Sequence, residues 1–128
     1  MTIERALFSN VTEHWATPVE LREQLQKEFD FTLDPCPFQS RTVDGLQMSW
    51  LGQRVYCNPP YGPGIEQWLR KSREAKLAVY LLPARTDVAW WHNWAMLADE
   101  VRFLRGRLKF NGSKNSAPFP SVILVFRN

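Results

Sequence analysis

The residues best suited to chemistry in this chain are Asn58-Pro59-Pro60-Tyr61, closed by Gly62. Two consecutive prolines fix the backbone and remove two N–H donors, so the neighbouring carbonyls are rigidly aimed acceptors. The amide oxygen of Asn58 adds another acceptor beside them. Tyr61 offers a flat face for a planar ring. Together these groups suit a conjugated amine, which is a poor nucleophile because its lone pair is delocalised. Two acceptors bonded to its hydrogens favour the tetrahedral form and return electron density to nitrogen. That interaction strengthens in the transition state, as catalysis requires. The same residues also fit a proline-rich turn closed by glycine, so the surrounding elements must decide between the two.

The tetrad follows Arg54–Cys57, which reads as a buried strand. A helix is expected from about Ile65, with Ile65, Trp68, Leu69 and Ala75 on one face. Upstream, Trp15-Ala16-Thr17-Pro18 opens another helix. Thr17 is its expected N-cap, Pro18 lies in its first turn, and Glu20 completes a capping box. Leu21, Leu25 and Phe29 form its apolar face. Phe31-Thr32-Leu33 is a short expected strand stopped by Asp34-Pro35-Cys36-Pro37, and residues 38–52 are an irregular loop. Leu77–Leu82 is a near-continuous apolar strand, as parallel sheets require. It ends at Pro83-Ala84-Arg85-Thr86-Asp87, and the helix after it is expected to bury Trp91, Trp94, Ala95 and Ala98. Val101–Leu104, Leu108–Phe110 and Ser121–Phe126 read as the last strands.

This succession predicts an α/β fold on a right-handed parallel unit, mostly parallel, with the final strands as an antiparallel edge. In such sheets ligands sit beyond the carboxyl ends of strands. Asp34, Asn58 and Pro83 are therefore expected along one rim. A chain of 128 residues predicts one domain, spanning 15–128 after a loosely ordered stretch 1–14.

Apolar residues make up 45% of the chain, as in soluble globular proteins. No signal peptide or long apolar run is visible, so no membrane association and a cytoplasmic location are expected. Cys36 and Cys57 lack metal-ligand spacing and read as buried free thiols, and no metal is expected. His14 and His92 have no visible partner. All 13 acidic residues lie at or before Glu100, giving residues 1–100 a balance of −3. Residues 101–128 carry Arg102, Arg105, Arg107, Lys109, Lys114 and Arg127 and no acid, a balance of +6. This asymmetry points to a polyanionic partner at one end, against the plainer possibility of a solvated basic face.

Six segments carry a resemblance: Trp15-Ala16-Thr17-Pro18, Leu33-Asp34-Pro35-Cys36, Asp44-Gly45-Leu46 with Trp50, Asn58-Pro59-Pro60-Tyr61, Leu82–Asp87 and Gly106-Arg107-Leu108-Lys109-Phe110. In this order they resemble the phage-type DNA N-6-adenine-methyltransferases, small enzymes of phages and prophages. The likeness covers roughly residues 11–126. It implies a reduced Rossmann-like methyltransferase fold that uses S-adenosylmethionine, with methyl transfer to the exocyclic amine of adenine in DNA. It makes Asn58, Pro59, Pro60 and Tyr61 the catalytic loop.

The resemblance places Trp15, Thr17 and Pro18 near the methionine part of the cofactor, where a helix N-terminus suits a carboxylate. Asp34, with Pro35 and Cys36, ends the first cofactor strand and would meet the methionine ammonium. Asp44 would bond a ribose hydroxyl, and Asn58 borders the cofactor too. The target adenine must be flipped out or presented as single strand, with Tyr61 stacking on it. Arg85, Arg105, Arg107 and Lys109 are the expected phosphate contacts. The last three alternate with Leu104, Leu108 and Phe110 as in an extended strand.

Plainer roles stand beside these. Thr17 would be a cap, Asp34 and Asp44 turn residues, Arg107 and Lys109 edge-strand solubilisers, and Trp90 and Trp91 packing residues. One departure from the fold's pattern is clear. No glycine follows the first cofactor strand until Gly45, so residues 38–52 and Trp15 must compensate. Three function classes remain: adenine methylation in DNA, methylation of another planar amine (cytosine, RNA or protein glutamine), and a non-catalytic nucleic-acid-binding module.

Overall fold

The computed structural model describes residues 16–37 and 44–128. Trp15, His14, the stretch 1–14 and loop residues 38–43 lie outside the described residues.

Helix α1 spans Val19–Phe29 and buries Leu25 and Phe29. It ends at Asp30 in the left-handed region (φ 53°), whose N–H bonds the Gln26 carbonyl. Its start corrects the expected capping. Pro18 occupies the N-cap position and no side chain caps the helix. Pro18 then contributes fixed backbone rather than a side-chain acceptor, and Thr17 is displaced one residue upstream, free for another task.

Strands β1 (Arg54–Cys57), β2 (Leu77–Pro83), β3 (Glu100–Phe103) and β4 (Ser121–Arg127) form one mixed sheet in the order β1-β2-β4-β3. β1 and β2 are parallel, while β4 runs antiparallel to both β2 and β3. The expectation of a mostly parallel sheet with an antiparallel edge is therefore overturned. The antiparallel strand lies inside the sheet, and two of the three pairings are antiparallel. β4 is apolar through Phe126 and buried, so it earns an interior place, whereas β3 is only partly buried and takes the edge. The Rossmann-like arrangement is not established by these four strands.

Two further expected strands do not form. Phe31–Leu33 contributes a single parallel bridge, Leu33 to Val55. There the Thr32 hydroxyl takes the Arg54 N–H at 2.9 Å, and Asp34-Pro35 follows at once. Leu108–Phe110 is irregular, because Gly106 turns the chain at φ 74° and Ala117 takes the Leu108 carbonyl at 2.8 Å.

Alternation along the strands places Tyr56 and Val79 on one face and Tyr80, Leu124 and Phe126 on the other. α1 covers the first face through Phe29, joined by Phe31 just beyond the helix, whose ring lies 5.4 Å from Tyr56. The second face carries α2 (Ile65–Arg70) and α3 (Ala89–Asn93). Trp68 and Trp50 join Tyr80 there, and Trp91 meets Phe103. Helices thus cover both faces, which explains why β2 is buried along its whole length. Of the residues expected in the interior, Ile65, Trp68, Leu69, Ala75, Trp91 and Ala95 are buried, while Trp94 and Ala98 are half-buried.

Charge is redistributed by folding. Arg102 grips Glu28 of α1 with two hydrogen bonds, at 2.6 and 2.8 Å, and also pairs with Glu100. Arg127 pairs with Glu100 as well. The Arg102 hydrogen bonds hold the Glu28 carboxyl below its ordinary range, and those from Arg127 and Arg102 do the same for Glu100. Two of the six C-terminal bases are thereby neutralised by acids from earlier in the chain. Among the described residues Arg105, Arg107, Lys109 and Lys114 form no ion pair, so the basic feature narrows to residues 105–114.

Candidate active site at the carboxyl ends of the strands

Asn58 stands just past β1, held by a contact that spans 41 positions. Its Nδ2 donates to Thr17 Oγ1 at 3.1 Å. The same Thr17 oxygen lies 2.6 Å from the Tyr56 hydroxyl. Tyr56 is 2% exposed, and burial pushes its phenol well above the ordinary range. A side chain without the usual capping duty thus fixes the nitrogen end of the Asn58 amide, which turns the oxygen end away from Thr17. Sequence reasoning missed Tyr56. Its signal was the period of two, since residues 56 and 58 lie on the same side of an extended chain. Pro59 is buried and Pro60 half-buried. Gly62 closes the loop at φ 135°, a conformation that favours glycine.

A second group assembles around Asp34. Its Oδ1 accepts the Cys36 N–H at 3.2 Å, so it does close a turn. The carboxyl is also desolvated, and burial raises its pKa. A half-buried carboxylate that feels Arg22 only at a distance, with no ion pair among the described residues, fits the ammonium or hydroxyl groups of a bound ligand. Cys36 Sγ beside it is pushed up to about 11, first by burial and then by the charges of Asp34 and Asp44. Cys57 is raised by burial as well. Cys36 is half-buried rather than buried, and neither thiol is a neutral-pH nucleophile.

Gly45 packs directly on Pro35, and a Cβ on it would sit 2.1 Å from the Pro35 carbonyl oxygen. The glycine absent from the segment after Leu33 is thus supplied from the next loop. Trp50 holds that loop in place, donating its indole N–H to the Gly45 carbonyl at 3.1 Å. Asp44 itself is exposed and accepts the Leu46 N–H at 3.0 Å, which makes it a turn residue in this structure.

Asp34→Asn preserves the acceptor for Cys36 and removes the buried charge. Because burial raises the folded carboxyl's pKa, the unfolded chain ionises first, and stability is lost as pH rises through that range. The variant is expected to have the higher Tm at pH 7, with the gap closing as pH falls toward the carboxyl range. Melting curves across pH check this, and a gap that ignores pH would remove the burial argument.

Tyr61 requires a correction. The ring is 4% exposed, so no face is open to an incoming base. Its hydroxyl donates to the Leu81 carbonyl at 3.2 Å. Phe119 and Phe110 meet it in edge contacts, with centroids 5.7 and 6.5 Å away. Tyr61 therefore anchors the loop to the end of β2. Beyond it opens a pocket of about 210 Å³, walled by Gly62, Pro63 and Ile65 and by Pro83, Arg85, Val88 and Trp90. Arg85 is half-buried there and pairs with Asp87 at 3.6 Å.

Arg105, Arg107 and Lys109 are exposed, whereas Leu104 and Leu108 are partly buried and Phe110 is buried. The alternation holds without a strand from Arg107 to Phe110 and is interrupted at the Gly106 turn. Asn111 bridges back to Ala16, its N–H 2.9 Å from the Ala16 carbonyl. This tie, with Phe110 against Tyr61, brings the basic segment beside Thr17 and the proline loop. Asn58, Thr17, Tyr61 and the basic segment therefore converge at one end of the sheet. Asp34 acts electrostatically on Tyr56 and Cys57 in the same region.

A family model described as DNA N-6-adenine-methyltransferase (Dam) matches residues 5–128. The chain belongs to this family. No curated protein and no solved structure matches it. Membership in the DNA N-6-adenine-methyltransferases covers nearly the whole chain, so the two ends of the site and the basic segment all fall within the family's span. DNA is the substrate expected for such a family. Among the described residues no cluster of three or more His, Cys, Asp or Glu would hold a metal ion, and no helix is long and apolar enough to cross a membrane.

Proposed function

We propose that this protein transfers a methyl group from S-adenosylmethionine to the exocyclic amine of adenine in DNA, with the Asn58–Pro60 loop activating the amine. The observation that carries this is the Asn58 amide held by its nitrogen on Thr17, which commits its oxygen as an acceptor beside two prolines. Asn58 Oδ1 and a prolyl carbonyl accept the two amine hydrogens and favour a tetrahedral nitrogen. Burial raises the pKa of Cys36, Cys57 and Tyr56, so none of these three supplies an anionic base there at neutral pH. Thr17, Pro18, Pro35 and Asp34 would hold the cofactor, with Asp34 the residue suited to its ammonium. S-adenosylmethionine, when bound, supplies the electrophilic methyl. Gly45, seated on Pro35, keeps this end of the site closely packed.

Methyl transfer from labelled S-adenosylmethionine to unmethylated DNA, read by nucleoside mass spectrometry, tests the proposal. N6-methyladenine is expected from the wild type. Methylcytosine, or methyl transfer only to RNA or protein, would assign a different acceptor. No product and no cofactor binding would favour a nucleic-acid-binding module.

Arg105, Arg107 and Lys109 are proposed to track phosphates, with Arg85 a further contact at the pocket rim. Charge reversal at Arg107 and Lys109 is expected to weaken DNA binding and to lower the slope of log K against log salt by about 1 per lost contact. An unchanged slope in binding titrations would remove this segment from the interface.

A further inference from the structure

We propose that the outer edge of β3 is a dimer surface, where a second copy of this chain adds its own β3 in antiparallel register centred on Val101. The inference is independent of the methyl-transfer reading. β3 pairs with β4 alone and ends the sheet among the described residues. The Leu104 N–H bonds the Ser121 carbonyl at 3.2 Å, continuing the ladder with β4. Hydrogen-bonded pairs alternate along an antiparallel ladder, so Arg102 and Glu100 also direct their backbone groups to β4. The N–H and C=O of Val101 therefore point outward, an open template for another strand.

The side chains around that edge are apolar for a surface. Phe103, Met96 and Leu97 are 67%, 59% and 60% exposed, three of the five exposed large apolar side chains among the described residues. Phe103 is braced from behind by the buried Trp91, with ring centroids 6.4 Å apart. The strand carries neither lysine nor proline, residues that commonly block strand addition.

Charge selects both occupant and register. A two-fold axis at Arg102 would set that side chain against its own copy. An axis at Val101 instead sets each Glu100 opposite Arg102 of the second copy, so opposite charges meet in both halves of the interface. These two side chains already pair within the chain at 3.0 Å, and the second copy extends that network. The same axis brings Phe103 opposite Asp99 of the second copy, close in sequence to its exposed Leu97. Such a surface is self-complementary, as a two-fold dimer requires. β3 runs in the direction of β2, since both are antiparallel to β4. The two candidate sites therefore lie at opposite ends of the joined sheet.

Sedimentation velocity of the whole chain over a concentration series tests this. A reversible monomer–dimer equilibrium is expected, with Kd on the order of 1–100 µM for a small interface. Phe103→Ser and Val101→Pro are each expected to weaken it about tenfold or more. Proline at 101 deletes an N–H that β4 does not use, and Phe103 is exposed, so circular dichroism should show both variants folded. Glu100→Lys sets like charges against Arg102 of the second copy, and Arg102→Glu does so against Glu100. Each alone is expected to be monomeric, while their equimolar mixture forms a heterodimer, a pattern specific to the Val101 register. A wild type that stays monomeric throughout overturns the proposal, and so does a dimer that Phe103→Ser and Val101→Pro leave intact. Folded charge variants whose mixture fails to dimerise overturn the register.

Discussion

Asn58→Ala is expected to lower methyl-transfer turnover by about 100- to 1,000-fold, the usual cost of one preorganised transition-state hydrogen bond. The loss should fall on kcat, because the acceptor acts most strongly once the amine becomes tetrahedral. Cofactor affinity and Tm should change little. Asn58 is half-buried, and its contact to Thr17 is one polar bond at a rim already held by Pro59 and by Tyr61 on Leu81. Thr17→Val, which removes the hydroxyl and keeps the shape, should lower kcat in the same direction, because the amide then loses what orients it. Thr17→Ser should restore it. Steady-state kinetics with DNA and cofactor varied separately check both. Wild-type turnover in Asn58→Ala would remove the residue from the chemistry.

The largest effect on stability is expected at Trp50. Its side chain is 0% exposed, with ring centroids 6.4 Å from both Trp68 and Tyr80. The Lys71 ammonium lies 5.5 Å from its ring centre. Trp50→Ala opens a cavity in a packed aromatic cluster and leaves the Gly45 carbonyl without its indole donor. A loss of about 3–5 kcal/mol is expected, a fall in Tm of about 10–20 °C. The consequence reaches the site. Without the indole, the Gly45 carbonyl keeps the longer Met48 N–H contact at 3.4 Å, so the loop should loosen against Pro35 and cofactor affinity should fall further than stability alone predicts. Trp50→Phe keeps much of the packing and loses only the N–H. It should therefore cost less stability while still loosening the Gly45 loop. Denaturant unfolding and cofactor calorimetry on the two variants separate these effects. Equal cofactor affinity in wild type and Trp50→Phe would break the link between indole and loop.

Much of the site was readable before folding, because its determinants are local. The prolines fix their own backbone, and the apolar run Val55-Tyr56-Cys57 places them at a strand end. The helix after the loop begins at Ile65 as its apolar spacing requires. The inward and outward alternation survives from Arg107 to Phe110 although no ladder forms, and it breaks at the Gly106 turn. The basic charge of residues 105–114 was equally legible. Its restriction to four residues was not, because Arg102 and Arg127 find acids that lie far away in sequence.

What sequence by itself determined, then, is each segment's periodicity, its burial and the chemical type of its loop. Only the tertiary structure decided which distant segments meet. Nothing local says that β4 enters between β2 and β3, since a fully apolar strand satisfies its backbone equally well in either direction and is placed by the surfaces it must cover. Thr17 reads as a helix cap from its neighbours, yet Pro18 takes that position and Tyr56 and Asn58 compete for the hydroxyl. Tyr61 reads as an open face, yet Phe110 and Phe119 close over it. Gly45 lies ten residues from Pro35 along the chain, yet a methyl group on it would sit 2.1 Å from the Pro35 carbonyl oxygen. These contacts join residues separated by long loops, and the packing of one shared core selects them.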